Sequence, residues 1–124
     1  MKIGFIGLGN MGGSLARLVA QDERFRSELL LANRSRDKAE KIAAEVGGQP
    51  FSNAEVFAQA EVIFLGIKPA QFADLLTEYQ EVLEKRESLL LVSMAAGLTL
   101  ELLEKLTPRH HRWIRIMPNT PVAV

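Results

Sequence analysis

Ile3-Gly4-Phe5-Ile6-Gly7-Leu8-Gly9-Asn10-Met11-Gly12 sets a short apolar run directly before three glycines spaced G-x-G-x-x-G. In such a loop Gly7 permits the tight turn out of a strand. Gly9 lets a pyrophosphate approach the backbone with no Cβ in the way, and Gly12 lets the next helix pack close to the strand. The helix start then offers unpaired N–H groups and a partial positive charge to an anion. Met11, Leu15, Leu18 and Val19 follow at i, i+4, i+7 and i+8, one apolar stripe of a helix. Three spaced glycines alone also fit a flexible turn; the strand before and the helix after favour a dinucleotide site.

Outward from this start the chain alternates. Apolar β-type runs occur at Lys2–Ile6, Glu28–Ala32, Glu61–Gly66, Leu89–Ser93 and Trp113–Ile116, with helical patterns between most of them. Ala39, Ile42, Ala43 and Val46 form a second stripe, which Gly47-Gly48 stops. From Pro69 to Lys85 the stripe is longest: Phe72, Leu75, Leu76, Tyr79, Val82 and Leu83, with Pro69 suited to a first helical turn. Ser52 and Glu55 have capping-box spacing, and another helix is expected from Thr99 through Leu102, Leu103 and Leu106 to Thr107-Pro108. Strands that read as continuous apolar runs are buried on both faces, with helices as the covering layers. The expected fold is therefore α/β: a Rossmann-type, doubly wound, mostly parallel sheet with helices on both faces, forming one domain over residues 1–124. Ligands of such sheets bind along the carboxyl ends of the strands.

The bulk properties agree with one small domain. The 124 residues are 48% hydrophobic and 24% charged, and fifteen basic residues balance fifteen acidic ones. That balance provides no overall field for nucleic acid or an anionic membrane surface, so a small-molecule ligand is expected. No cysteine is present, which removes disulfides and thiolate chemistry and fits a reducing compartment; a cytoplasmic location is expected. The longest apolar stretch falls well short of the roughly 20 residues of a membrane helix. No metal site is expected: a metal pair at His110-His111 would need further ligands, and those two read as a solvated connection among Pro108, Arg109 and Arg112. Glu78 to Glu87 reads as a helix's wet face. Ser14 and Ser93 have no nearby histidine–carboxylate set, so a hydrolase triad is not expected.

Beyond the second strand, about 20 residues after the last glycine, NAD-preferring folds place a carboxylate for the ribose hydroxyls. This chain has Asn33-Arg34-Ser35 instead. A guanidinium with two short hydrogen-bonding neighbours suits a ribose 2′-phosphate, so NADPH is the favoured cofactor and NADH the second option. Ser35 also reads as the cap of the following helix, with Arg34 solvated; the two readings are compatible. Gly66-Ile67-Lys68-Pro69 and Met94-Ala95-Ala96-Gly97 close two further strands with small residues, against which a flat nicotinamide ring can lie. Lys68 reads equally as a cofactor or water ligand and as a lysine reaching solvent. In Met117-Pro118-Asn119-Thr120-Pro121, Asn119 and Thr120 offer donors and acceptors near the expected ring.

With these segments assembled, the chain resembles the amino-terminal domain of pyrroline-5-carboxylate reductases. The resemblance is carried by residues 3–12, Asn33-Arg34-Ser35, Phe64-Leu65-Gly66-Ile67-Lys68-Pro69, Ser93-Met94-Ala95-Ala96-Gly97 and Arg115-Ile116-Met117-Pro118-Asn119-Thr120-Pro121. It implies hydride transfer from NADPH, or less often NADH, to the ring C=N carbon of 1-pyrroline-5-carboxylate, forming L-proline, the last step of proline biosynthesis. It implies cofactor contacts at Ile6, Gly7, Leu8, Gly9, Asn10 and Met11, at Ser35 and Asn53, at Gly66, Ile67, Lys68 and Pro69, and at Met94, Ala95 and Ala96. Gly12, Asn33, Arg34 and Asn119 join them from the reading of the residues, and Asn53 is placed by the adenosine end through the resemblance alone. No catalytic residue is assigned. Family members continue into a helical domain that makes an intertwined homodimer and most of the substrate pocket, including a hydroxyl residue. The 124 residues lack it, so cofactor binding with little or no turnover is expected, and the apolar Pro121-Val122-Ala123-Val124 is expected to favour self-association. Two other readings remain: a different NADP-dependent reductase of the 3-hydroxyacid dehydrogenase type, expected to differ around Met117 to Pro121, and a non-enzymatic NADPH-binding module.

Overall fold

The computed structural model describes residues 1–26 and 28–116. Six strands form one sheet: β1 (Ile3–Ile6), β2 (Leu29–Ala32), β3 (Gln49–Pro50), β4 (Val62–Leu65), β5 (Leu90–Ser93) and β6 (Arg112–Arg115). Their spatial order is 3-2-1-4-5-6, and every neighbouring pair is parallel. That order is the doubly wound dinucleotide-binding topology, in which the strand sequence reverses between β1 and β4. The expected α/β architecture is present, with strand ends within about a residue of the apolar runs. β3 is the strand the sequence reading did not anticipate. Two residues long, it shows no apolar run, and its Pro50 is tolerated because an edge strand needs no N–H on its outer side.

The helices are α1 (Asn10–Ala20), α2 (Glu23–Arg26), α3 (Arg36–Val46), α4 (Asn53–Gln59), α5 (Phe72–Glu78), α6 (Gln80–Lys85) and α7 (Leu100–Lys105). One face of the sheet packs against α1 and α3: Phe5, Leu29 and Leu31 meet Ala16, Ala20 and the full α3 stripe Ala39, Ile42, Ala43 and Val46. The other face packs against α4 to α7, where Ile63, Leu65 and Leu91 meet Val56, Phe57, Phe72, Leu76, Leu83, Leu103 and Trp113. Among the described residues, no helix is long and apolar enough to cross a membrane.

Three details differ from the sequence reading. The buried face of α1 is Gly12, Gly13, Ala16 and Ala20, whereas Leu18 of the apolar stripe is 59% exposed and Met11, Leu15 and Val19 are only half-buried. Small residues occupy the contact because α1 lies too close to the sheet for larger ones: a Cβ on Gly12 would stand 2.1 Å from the Gly7 carbonyl oxygen. The long stripe from Pro69 is a 3₁₀ turn (Pro69–Gln71) followed by two helices that break at Tyr79, whose backbone leaves the helical region. Its wet face also carries Arg86, half-buried and donating to the Phe57 carbonyl at 2.8 Å.

His111 is the third correction. It is not part of a solvated connection but is buried, with Nδ1 accepting from the Leu89 N–H at 3.0 Å and Nε2 against the Leu83 carbonyl. A carbonyl only accepts, so Nε2 carries the proton and the ring is neutral. His110 is exposed, as expected, and donates to the Arg86 carbonyl.

Candidate functional site

β1 and β4 lie side by side with Ile6 opposite Leu65, and the chain leaves them at Gly7 and Gly66. Here the two halves of the sheet diverge and open a crevice. Its floor admits no side chains. Gly7 has φ +91°, and a Cβ there would stand 2.5 Å from the Gly66 carbonyl oxygen; one on Gly66 would stand 2.8 Å from the Gly7 carbonyl oxygen. Together with Gly12, these glycines are required by the fold itself.

Gly9 is different. Its φ of −65° is open to any residue, and an added Cβ would meet nothing within 4 Å. Neither backbone nor packing calls for glycine, so the bare Cα leaves room for something outside the protein. Gly9 also starts α1, where no side chain caps the helix amides. Donors without a cap, a positive helix end and open space together suit a phosphate group.

The crevice encloses about 540 Å³. Of the sequence-proposed residues, Ile6, Gly7, Gly9, Asn33, Arg34, Asn53, Gly66, Ile67 and Lys68 line it. Gln71, Asp74, Leu75 and Glu78, from the 3₁₀ turn and α5, complete the wall. The sequence reading missed these four because a helix surface acquires a function only from what it faces; Leu75 registered there as one more stripe residue. Ser52 and Glu55 cap α4 reciprocally, at 3.2 and 3.0 Å, and so hold Asn53 at the first helical position, half-buried at the crevice. Glu55, accepting from the Ser52 backbone, is held below the usual carboxylate range.

The remaining candidates stand around this wall. Leu8 belongs to the loop, but its side chain is fully buried and its N–H is taken by Asn33 Oδ1 at 2.8 Å. It therefore anchors the loop, with its N–H engaged inside the protein. Gly12 lies beneath the loop, and Asn10 borders a smaller recess of about 290 Å³ with Ser14, Arg17 and Lys38. Met11 is half-buried in the first turn of α1. Ser35 caps α3 through the Lys38 N–H at 3.4 Å, the capping role foreseen for it, and Arg34 beside it is exposed. Pro69 opens the 3₁₀ turn without lining the crevice. Met94 and Ala95 are buried past the end of β5; the Met94 sulfur borders Gly66, and the Ala95 N–H donates to the buried Ser93 hydroxyl at 3.2 Å. Ala96 is exposed next to them. Asn119, with the whole Met117–Pro121 loop and the apolar tail, lies outside the described residues.

A larger groove of about 1050 Å³ runs between α7 and β6. It sits at the amino ends of β5 and β6, away from the carboxyl edge that binds ligands in such sheets, and shares no residue with the crevice. No cluster of three metal-ligating side chains occurs among the described residues.

Comparison with known proteins adds an independent line. Residues 2–97 match the family described as NADP oxidoreductase, coenzyme F420-dependent. The pyrroline-5-carboxylate reductase of Escherichia coli (strain K12) is 37% identical over 125 aligned residues, covering 99% of this chain and 46% of that protein. Among solved structures, a pyrroline-5-carboxylate reductase from Coxiella burnetii superposes with a TM-score of 0.87 at 30% identity, over 97% of this chain and 44% of that one. Plasmodium falciparum pyrroline carboxylate reductase, solved with NADP bound, gives a TM-score of 0.79 at 27% identity over 98% and 43%. The chain thus spans just under half the length of the relatives it matches. With the strand order, the glycine floor and this similarity in agreement, the chain belongs to the NADP oxidoreductase, coenzyme F420-dependent family and resembles, over nearly its whole length, the pyrroline-5-carboxylate reductases.

Proposed function

We propose that this chain is the amino-terminal, NADPH-binding domain of a pyrroline-5-carboxylate reductase, with NADH as a weaker alternative cofactor. The observation that carries the cofactor assignment is Gly9, a glycine that neither conformation nor packing demands, set at an uncapped helix start beside a 540 Å³ crevice. When bound, NADPH supplies a hydride to the ring C=N carbon of 1-pyrroline-5-carboxylate, the nitrogen gains a proton, and L-proline results. The chain's own residues bind and orient. The Gly9 loop and the Asn10 and Met11 amides hold the pyrophosphate, and the exposed Arg34 guanidinium with Ser35 holds the 2′-phosphate. Asn53 and Leu75 flank the adenosine. The small surface of Gly66, Ile67, Met94, Ala95 and Ala96, with Lys68 beside it, receives the nicotinamide.

In this reading the imine is held largely by a helical domain outside these 124 residues, which also makes a homodimer, and the reaction is cytoplasmic. Hydride transfer needs the two reacting carbons within about 3–3.5 Å. Fluorescence titration should therefore show NADPH bound more tightly than NADH, while a steady-state assay with NADPH and 1-pyrroline-5-carboxylate shows little turnover by the 124 residues alone. Arg34→Ala should weaken NADPH about ten- to a hundredfold and leave NADH nearly unchanged, since a charge-assisted phosphate contact contributes about 1.5–3 kcal/mol. Equal losses would refute 2′-phosphate recognition at Arg34, and absence of binding by both nucleotides would refute the whole reading.

A further inference from the structure

Asn33 directly follows β2 at the mouth of the crevice, half-buried, and both ends of its side-chain amide are engaged. Oδ1 accepts from the Leu8 N–H at 2.8 Å, and Nδ2 donates to the Ser35 carbonyl at 3.2 Å. The backbone partners dictate that orientation: an N–H can only donate and a carbonyl can only accept, so the amide has one arrangement that satisfies both. Leu8 lies between Gly7 and Gly9 in the loop, 25 residues away along the chain. Ser35 caps α3 and adjoins Arg34. One planar group thus bridges the glycine loop of β1 and the polar turn of β2.

We propose that Asn33 is a positioning residue: it fixes the glycine loop against the Arg34-Ser35 turn, so that the groups meeting a dinucleotide's pyrophosphate and its ribose 2′-phosphate stand at a set separation before the ligand arrives. This rests on the nucleotide reading of the crevice. It replaces the direct cofactor contact expected of Asn33 with an indirect role, because the amide's strongest bonds are spent inside the protein. It also accounts for an amide at this position. A carboxylate would keep the Leu8 bond with one oxygen but set the other against the Ser35 carbonyl, two acceptors facing each other, and would place a negative charge beside the 2′-phosphate turn.

Three measurements on the full 124-residue chain test this. In the wild type without nucleotide, the Leu8 amide is expected to exchange its hydrogen slowly; exchange at the rate of an unbonded loop amide overturns the clamp. Asn33→Ala is expected to weaken NADPH about tenfold and NADH by a smaller factor, because the loop common to both is loosened while only NADPH also loses the set position of the 2′-phosphate turn. A loss confined to NADPH, with NADH unchanged, would instead make Asn33 a direct 2′-phosphate contact, and unchanged affinities would show that the bridge does not matter; either overturns the proposal. Asn33→Asp, nearly the same shape and so the safeguard should the alanine variant not fold, is expected to keep the Leu8 amide protected while lowering the NADPH-to-NADH affinity ratio several-fold; a ratio unchanged or raised overturns it. A wild-type chain that binds neither nucleotide overturns the reading on which the proposal rests, and the Leu8 exchange rate in that same sample separates this failure from failure of the clamp.

Discussion

Four glycines line one short stretch of space, and only one of them is free. Gly7, Gly12 and Gly66 exclude one another's Cβ atoms, whereas Gly9 faces open space. Gly12→Ala is accordingly expected to lower stability by about 1–3 kcal/mol in denaturant unfolding, since the clash is with backbone rather than with the flexible tip of a side chain. Gly9→Ala should unfold within about 0.5 kcal/mol of the wild type yet bind NADPH at least several-fold more weakly. A destabilised Gly9→Ala with normal affinity would reverse the assignment. The glycine spacing was legible in the sequence because each step of a strand–turn–helix needs its glycine at a fixed offset. Which glycine serves the fold and which the ligand was not, since that depends on what stands opposite each Cα. The same limit applies to Asn33 and Leu8, which are neighbours only after β2 has paired with β1.

Among the elements, the helix ends were the most readable. Ser52-Glu55 forms the capping box its spacing predicts, Ser35 and Thr99 cap α3 and α7, and Gly47 closes α3 with φ +83°. These signals are local: a cap and the amide it satisfies lie three residues apart. Ser52→Ala should cost about 1 kcal/mol in chemical denaturation, and because α4 presents Asn53 to the crevice, NADPH affinity should fall with it; an unchanged unfolding midpoint would deny the cap its role. The stripe of α1 misled because hydropathy weights large side chains, and this helix buries its small ones to reach the sheet. Tyr79 broke a continuous stripe that has no glycine or proline to announce the break. β3 escaped notice because its two residues are held by the register of Leu30 and Leu31 opposite them, not by an apolar pattern of their own.

At the scale of the whole molecule, His111 joins the end of α6 to the entries of β5 and β6, and burial keeps its pKa below the ordinary histidine value. Protonating Nδ1 would turn a donor toward the Leu89 N–H and place a cation near His110 and Arg86, which the folded protein resists. The unfolded chain takes up that proton near pH 6.5, the folded chain only at lower pH, so the unfolded state binds more protons in between. The His111 contribution is therefore complete above about pH 6.5 and is lost as pH falls through the interval below it. Thermal midpoints should be lower at about pH 5 than at about pH 8, and His111→Asn should flatten that difference; an unaltered slope in the variant would assign the effect elsewhere. The sequence by itself determined the alternation of strand and helix, the glycine loop, the caps and the missing carboxylate after β2, because each is written in residues close together along the chain. Only the tertiary structure decided that Leu8 and Asn33 share a hydrogen bond, that α5 walls the crevice, that His111 is buried and that Leu18 of α1 is not. Each of these depends on where a crossover returns the chain, and that is set by the packing of the sheet as a whole.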